Sequence, residues 1–130
     1  MLAVRIFLGL CALLWLPYGL MLLASPGALA ASAGVAATSA TGVVELRAMY
    51  GGLQAAVGAL ALVGALRPAL SPHAVLALGA LAAGLALSRT ASALIASSYE
   101  PYTLGALALE WTMLLAAAWL WPRTREATAR

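Results

Sequence analysis

Four ionisable side chains interrupt long hydrophobic runs in this chain: Glu45, Arg47, Arg89 and Glu110. Two carboxylates and two guanidiniums permit three kinds of chemistry. They can neutralise one another as buried ion pairs, the guanidiniums can hold an anionic group, or a buried carboxylate can serve as a general acid or base. Tyr18, Tyr50, Gln54 and Trp111 add hydrogen-bonding and aromatic groups close to them in the same runs. Other chemistries lack their residues. No GxSxG, HExxH or phosphate-binding loop occurs, Cys11 is the sole cysteine and His73 the sole histidine, which excludes an internal disulfide, a CxxC site, and histidine pairs for metal or haem within one chain. No cofactor is expected. Cys11 reads as a small buried hydrophobe, and His73, following Pro72, as a solvated residue of a short turn.

These groups must be carried by membrane helices. The chain has 130 residues, 65% hydrophobic and 8% charged, with a mean hydropathy of +1.00, far outside the range of soluble domains. It contains no Lys, Asp or Asn, so all seven basic residues are Arg. The pI near 9.6 does not point to nucleic acid, because the arginines are scattered singly without a basic run or an interleaved aromatic platform. The bilayer is the expected partner.

A hydrocarbon core of ~30 Å needs about 20 helical residues, and four apolar segments are long enough. The expectation is a single all-α domain, a four-helix transmembrane bundle with spans near 6–24, 43–66, 74–97 and 102–121. Breakers separate them: SPG, RPALSP, SSYEP, and Pro122 followed by a charged tail. Helix is required because lipid offers backbone groups no partners. Arg5, the following apolar stretch and GALAAS also resemble a secretory signal, but the stretch exceeds the usual signal core and a retained span is favoured.

Four spans put both termini on one side, along with the turn joining spans two and three. That side carries Arg5, Arg67, Arg123, Arg125 and Arg130, while the opposite loops carry no Arg and one acid, Glu100. The positive-inside rule then makes both termini cytoplasmic, with Trp119 and Trp121 at the inner interface and Tyr99 and Tyr102 at the outer. The long loop ASPGALAASAGVAATSATG reads as a plain connector, although its alanines permit a short helix.

At 1.5 Å per residue, Arg47, Arg89 and Glu110 fall roughly 6 to 12 Å below the outer surface, in one layer with Tyr18 and Tyr50, Gln54 slightly deeper and Trp111 beside Glu110. Each ionisable group at such depth costs ~2.5–3.5 kcal/mol on insertion scales, so they are expected to face inward and pair. Helical phase places Arg47, Tyr50, Gly51, Gln54 and Gly58 on one stripe, with Glu45 well around the helix, as a candidate cap at its positive end or reaching a neighbouring span. Span three shows a small-residue stripe around Arg89, and span four places Ala106, Glu110, Met113 and Ala117 together. Arg89 is expected to pair with Glu110, with Arg47 nearby. Span one carries WLPYG, whose Pro17 frees a carbonyl beside this layer and reads as a tolerated kink.

ELRAMYGGLQ, a lone Arg in LALSRTASAL and an acid in LALEWTML resemble a family of small bacterial four-helix membrane proteins described only as a domain of unknown function. The resemblance covers nearly the whole chain, and the run from Glu45 to Gln54 is its most specific part. It implies a helical membrane protein and brings no substrate or catalytic residue.

Three functions fit these residues. In the first, the Arg/Glu layer fixes helix register in a structural or accessory subunit of a larger membrane complex or homo-oligomer. In the alternative, the layer lines an outward-facing pocket for binding, or transporting, a small lipophilic or anionic ligand. The third, an enzyme acting on a lipophilic substrate, has least support, because two neighbouring arginines would keep a carboxylate ionised.

Overall fold

The computed structural model describes the backbone of residues 1–128 and the side chains of residues 1–124. Arg125 and Arg130, expected on the cytoplasmic side, lie outside the described side chains. Helix α1 (Leu2–Ala24) is followed by α2 (Ala28–Ala33), then α3 (Ala40–Leu46), a π-helical turn (Arg47–Gly52) and α4 (Leu53–Leu66). A 3-10 turn (Pro68–Leu70) leads into α5 (Ser71–Ala96), and α6 (Pro101–Thr128) completes the described chain, which contains no strand. Because α3, the π turn and α4 form one rod, four helices are long and apolar enough to cross a membrane: Leu2–Ala24, Ala40–Leu66, Pro68–Ala96 and Pro101–Thr124. The fold is the expected all-α bundle.

Several boundaries differ, each for a local reason. The second rod starts at Ala40, where the Ser39 hydroxyl accepts a hydrogen bond from the Gly42 amide at 3.0 Å, so Glu45 stands in the second turn and is not the cap. Pro72 occupies the first turn of α5, where its missing N–H costs nothing, and His73 is therefore an exposed helical residue rather than a loop residue. Pro122 lies inside α6 without ending it. The first long loop is not a plain connector: α2 forms within it, buries Leu29 and ends at Gly34 in the left-handed conformation.

The bundle is built from two close pairs, α1 with the second rod and α5 with α6, joined more loosely to each other. Glycines make the first pair possible. A Cβ on Gly19 would lie 2.2 Å from the Ala55 nitrogen, one on Gly58 2.3 Å from the Leu16 nitrogen, and one on Gly51 2.8 Å from the Leu23 nitrogen. These are backbone-to-backbone approaches, the kind that lets dispersion hold helices together in lipid. Arginines tie both ends of the pair. Arg5, at the start of α1, donates to the Ala65 carbonyl in the last turn of α4 at 3.2 Å, and Arg47 donates to the Leu23 carbonyl in the last turn of α1 at 3.1 Å. Each guanidinium thus satisfies a carbonyl that the end of its neighbour leaves open. The buried Ser71 hydroxyl does the same for the Gly64 carbonyl at 2.7 Å.

Packing is uneven along the bundle. The continuous core joins Val4, Leu8, Ala61, Val75, Ala117 and Leu120 with their neighbours, all toward the end where α1 begins and α6 finishes. Ala3 and Ile6 share a groove with Trp119 and Leu120 there, so the start of α1 lies beside that part of α6. Outward positions are strongly apolar, with Ile95 86% and Leu13 75% exposed, the inverse of a water-soluble surface. Ser88, Thr90 and Thr112 bond their hydroxyls back to carbonyls one turn earlier, as side chains in lipid must.

Candidate intramembrane binding site

The polar residues lie between the two helix pairs, where a gap opens. Arg89 on α5 meets Glu110 on α6: Nε is 2.9 and 3.0 Å from the two carboxylate oxygens and Nη2 is 2.7 Å from Oε1. Glu110 is only 3% exposed, so its charge is held almost entirely by the guanidinium. Small residues on α5 (Ala82, Ala86, Ala93) and on α6 (Ala117) are buried between the helices and allow the approach.

The gap is a cleft of two lobes, one of about 370 Å³ and one of about 460 Å³, which share Trp15, Tyr50, Gln54, Leu85 and Glu110 as walls. The deeper lobe is otherwise apolar, lined by Leu53, Val57, Leu78, Leu81 and Met113 among others. The shallower lobe adds Tyr18, Arg89 and Tyr102, and the phenol of Tyr18 lies beside that of Tyr102. Two atoms on the shared wall are anomalous. Trp15 Nε1 and Gln54 Oε1 are buried and have no hydrogen-bond partner. A buried polar atom left unpaired costs ~1–3 kcal/mol.

Of the eight residues singled out in the sequence, five meet here: Tyr18, Tyr50, Gln54, Arg89 and Glu110. Three do not. Arg47 is turned to the Leu23 carbonyl and lines neither lobe. The reason is the π turn: Leu53 donates to the Ala48 carbonyl five residues back, so a 3.6-residue count carried across Arg47–Gly52 loses phase. Glu45 is exposed on the second rod. Trp111 is partly exposed and donates its indole N–H to the Thr90 hydroxyl at 3.2 Å, linking α6 to α5 outside the cleft.

Two residues were missed. Trp15 shares a helical face with Cys11, Tyr18 and Leu22, a spacing visible in the sequence, while Pro17 drew attention and points outward, exposed. Tyr102, expected in the outer aromatic belt, instead joins the cleft wall. No cluster of three or more potential metal ligands occurs among the described residues.

A family model described as a domain of unknown function, DUF4345, matches residues 3–121, which takes in all four spans and every residue of the cleft. The chain belongs to the DUF4345 family. No curated protein and no solved structure matches it. The DUF4345 description carries no activity.

Proposed function

We propose that this DUF4345 protein binds a small lipophilic ligand within the membrane, in the cleft between its two helix pairs. The carrying observation is the cleft itself, two lobes of about 370 and 460 Å³ whose largely apolar walls bring together Tyr18, Tyr50, Gln54, Tyr102 and the Arg89–Glu110 pair. Few convergent polar groups on an apolar concavity is the general form of a small-molecule site. Arg5, Arg67 and Arg123 gather at the end where α1 begins, which supports cytoplasmic termini in a bacterial plasma membrane with the cleft in the outer half.

The test is extraction of the protein in mild detergent followed by mass spectrometry of co-purifying compounds, compared with Ala106→Phe, which places a ring in the shallower lobe. A compound retained by the wild type and lost from a normally helical variant is the expected result. Identical profiles from the two proteins would count against the cleft as a binding site.

A second reading, that the polar layer fixes helix register in an accessory subunit or oligomer, is supported by the three hydrogen bonds joining Arg89 to Glu110. It predicts that exchanging the two residues restores assembly lost in each single replacement, and that Ala106→Phe leaves assembly intact.

A further inference from the structure

We infer that the groove between α1 and α6 holds one acyl chain of an anionic phospholipid, with the lipid's headgroup on Arg123. This site goes beyond the reading proposed for the cleft and does not rest on it: Ala116 and Trp119, which line the groove, line neither lobe.

Shape selects the chain. The groove follows α1 from Ala3 to Leu14 and α6 from Leu109 to Leu120, which at 1.5 Å per residue is a length of about 16 Å. That is half of a ~30 Å hydrocarbon core, the depth that the chains of one leaflet fill. The groove's volume is about 450 Å³. A helix about 10–12 Å across would need on the order of 1,300 Å³ over the same length, so a neighbouring helix covers the slot without filling it. Leu10 and Trp119 on its two rims are both exposed, and the slot opens sideways toward lipid.

The walls ask for nothing polar. Phe7, Leu10, Cys11 and Met113 are apolar, and the one hydroxyl, on Thr112, is spent on the Ala108 carbonyl at 2.7 Å. Hydrocarbon satisfies such a surface completely.

Charge selects the head. The α6 stripe that lines the groove, through Met113, Ala116 and Trp119, reaches Arg123 one turn further on. Its guanidinium carbon lies 3.7 Å from the centre of the Trp119 ring, and Nη1 donates to the Trp119 carbonyl. The cation is thereby held at the mouth of the groove. Nε and Nη2 have no partner among the described residues, and that edge of a guanidinium matches a phosphate. Arg5, bonded to the Ala65 carbonyl, and Arg67 add positive charge at the same end. The acids whose side chains are described, Glu45, Glu100 and Glu110, all lie toward the other end.

The experiment titrates delipidated full-length protein in detergent with two lipids of identical chains, dioleoylphosphatidylglycerol and dioleoylphosphatidylcholine, and reads bound lipid by native mass spectrometry. The anionic lipid is expected to bind about fivefold more tightly, the worth of one arginine near an anionic headgroup. Arg123→Gln should abolish that preference and leave the choline lipid's affinity unchanged; Arg123 is exposed, so the core stays intact. Ala116→Phe sets a ring into the groove and should weaken both lipids about tenfold in a protein of normal helicity, while Leu115→Phe on the exposed face should change neither. Equal affinity of the wild type for the two lipids, or a preference that survives Arg123→Gln, overturns the headgroup on Arg123. Unchanged lipid affinity in Ala116→Phe overturns the groove, and loss with Ala106→Phe instead moves the lipid to the cleft. A dimer in place of bound lipid, broken by Ala116→Phe, makes a second copy the occupant and overturns the inference whole.

Discussion

Replacing Gly58 by alanine adds one methyl group where the structure leaves no room for it. An ideal Cβ there lies 2.3 Å from the Leu16 nitrogen and 2.6 Å from its Cα, against the ~3.5–4.0 Å of a comfortable contact between carbons. The obstructing atoms are backbone, so no rotamer change relieves the overlap. α1 and α4 must separate by roughly 1 Å, a gap that forfeits a quarter to a half of each contact along the crossing. Overpacking of this kind costs ~1–3 kcal/mol, while the better helical preference of alanine returns ~0.5–1. The expected net loss is ~1–2 kcal/mol. Gly84 provides the internal control: nothing lies within 4 Å of its Cβ, so Gly84→Ala gains the helical preference without the clash and should stabilise by ~0.5–1 kcal/mol. The same chemical change should therefore differ by ~1.5–3 kcal/mol between the two sites, a factor of roughly 10 to 150 in the folding equilibrium. Reversible unfolding in mixed micelles, followed by circular dichroism, measures both. A Gly58→Ala protein as stable as the wild type would refute the close approach of α1 and α4, and with it the two-pair architecture that leaves the cleft open.

Arg5→Met and Arg47→Met each remove a guanidinium from an open carbonyl, so each should lower stability in the same assay by ~0.3–1 kcal/mol, additively because they act at opposite ends of the pair. Glu110→Leu strands Arg89 at membrane depth and should cost about 3 kcal/mol, whereas the Arg89→Leu, Glu110→Leu double variant should cost less than Glu110→Leu alone; a double variant worse than the single would show that the pair does not act as a unit. Thr90→Val removes the acceptor of the Trp111 indole and should shift Trp111 emission at a stability cost of ~0.5–1.5 kcal/mol, with the co-purifying compound retained because neither residue lines the cleft.

Composition and hydrophobic run length were sufficient for the bundle itself. Lipid admits only helices and closed barrels, and four runs of the right length with breakers between them leave one solution. The Arg89 and Glu110 contact was legible for a related reason: two opposite charges at one depth have nowhere better to go. Matters turning on phase rather than length needed the tertiary structure. The π turn over Arg47–Gly52 shifts the register of everything after it, which sent Arg47 to the end of α1 while Tyr50 and Gln54 reached the cleft. Whether the polar layer would close on itself was equally hidden. It depends on how far the two pairs diverge, and that is set by backbone approaches at Gly19, Gly51 and Gly58 on one side and by alanine packing on the other. Pairwise packing of helices is a property of surfaces in three dimensions, so the cleft between the pairs appears only once those surfaces are assembled.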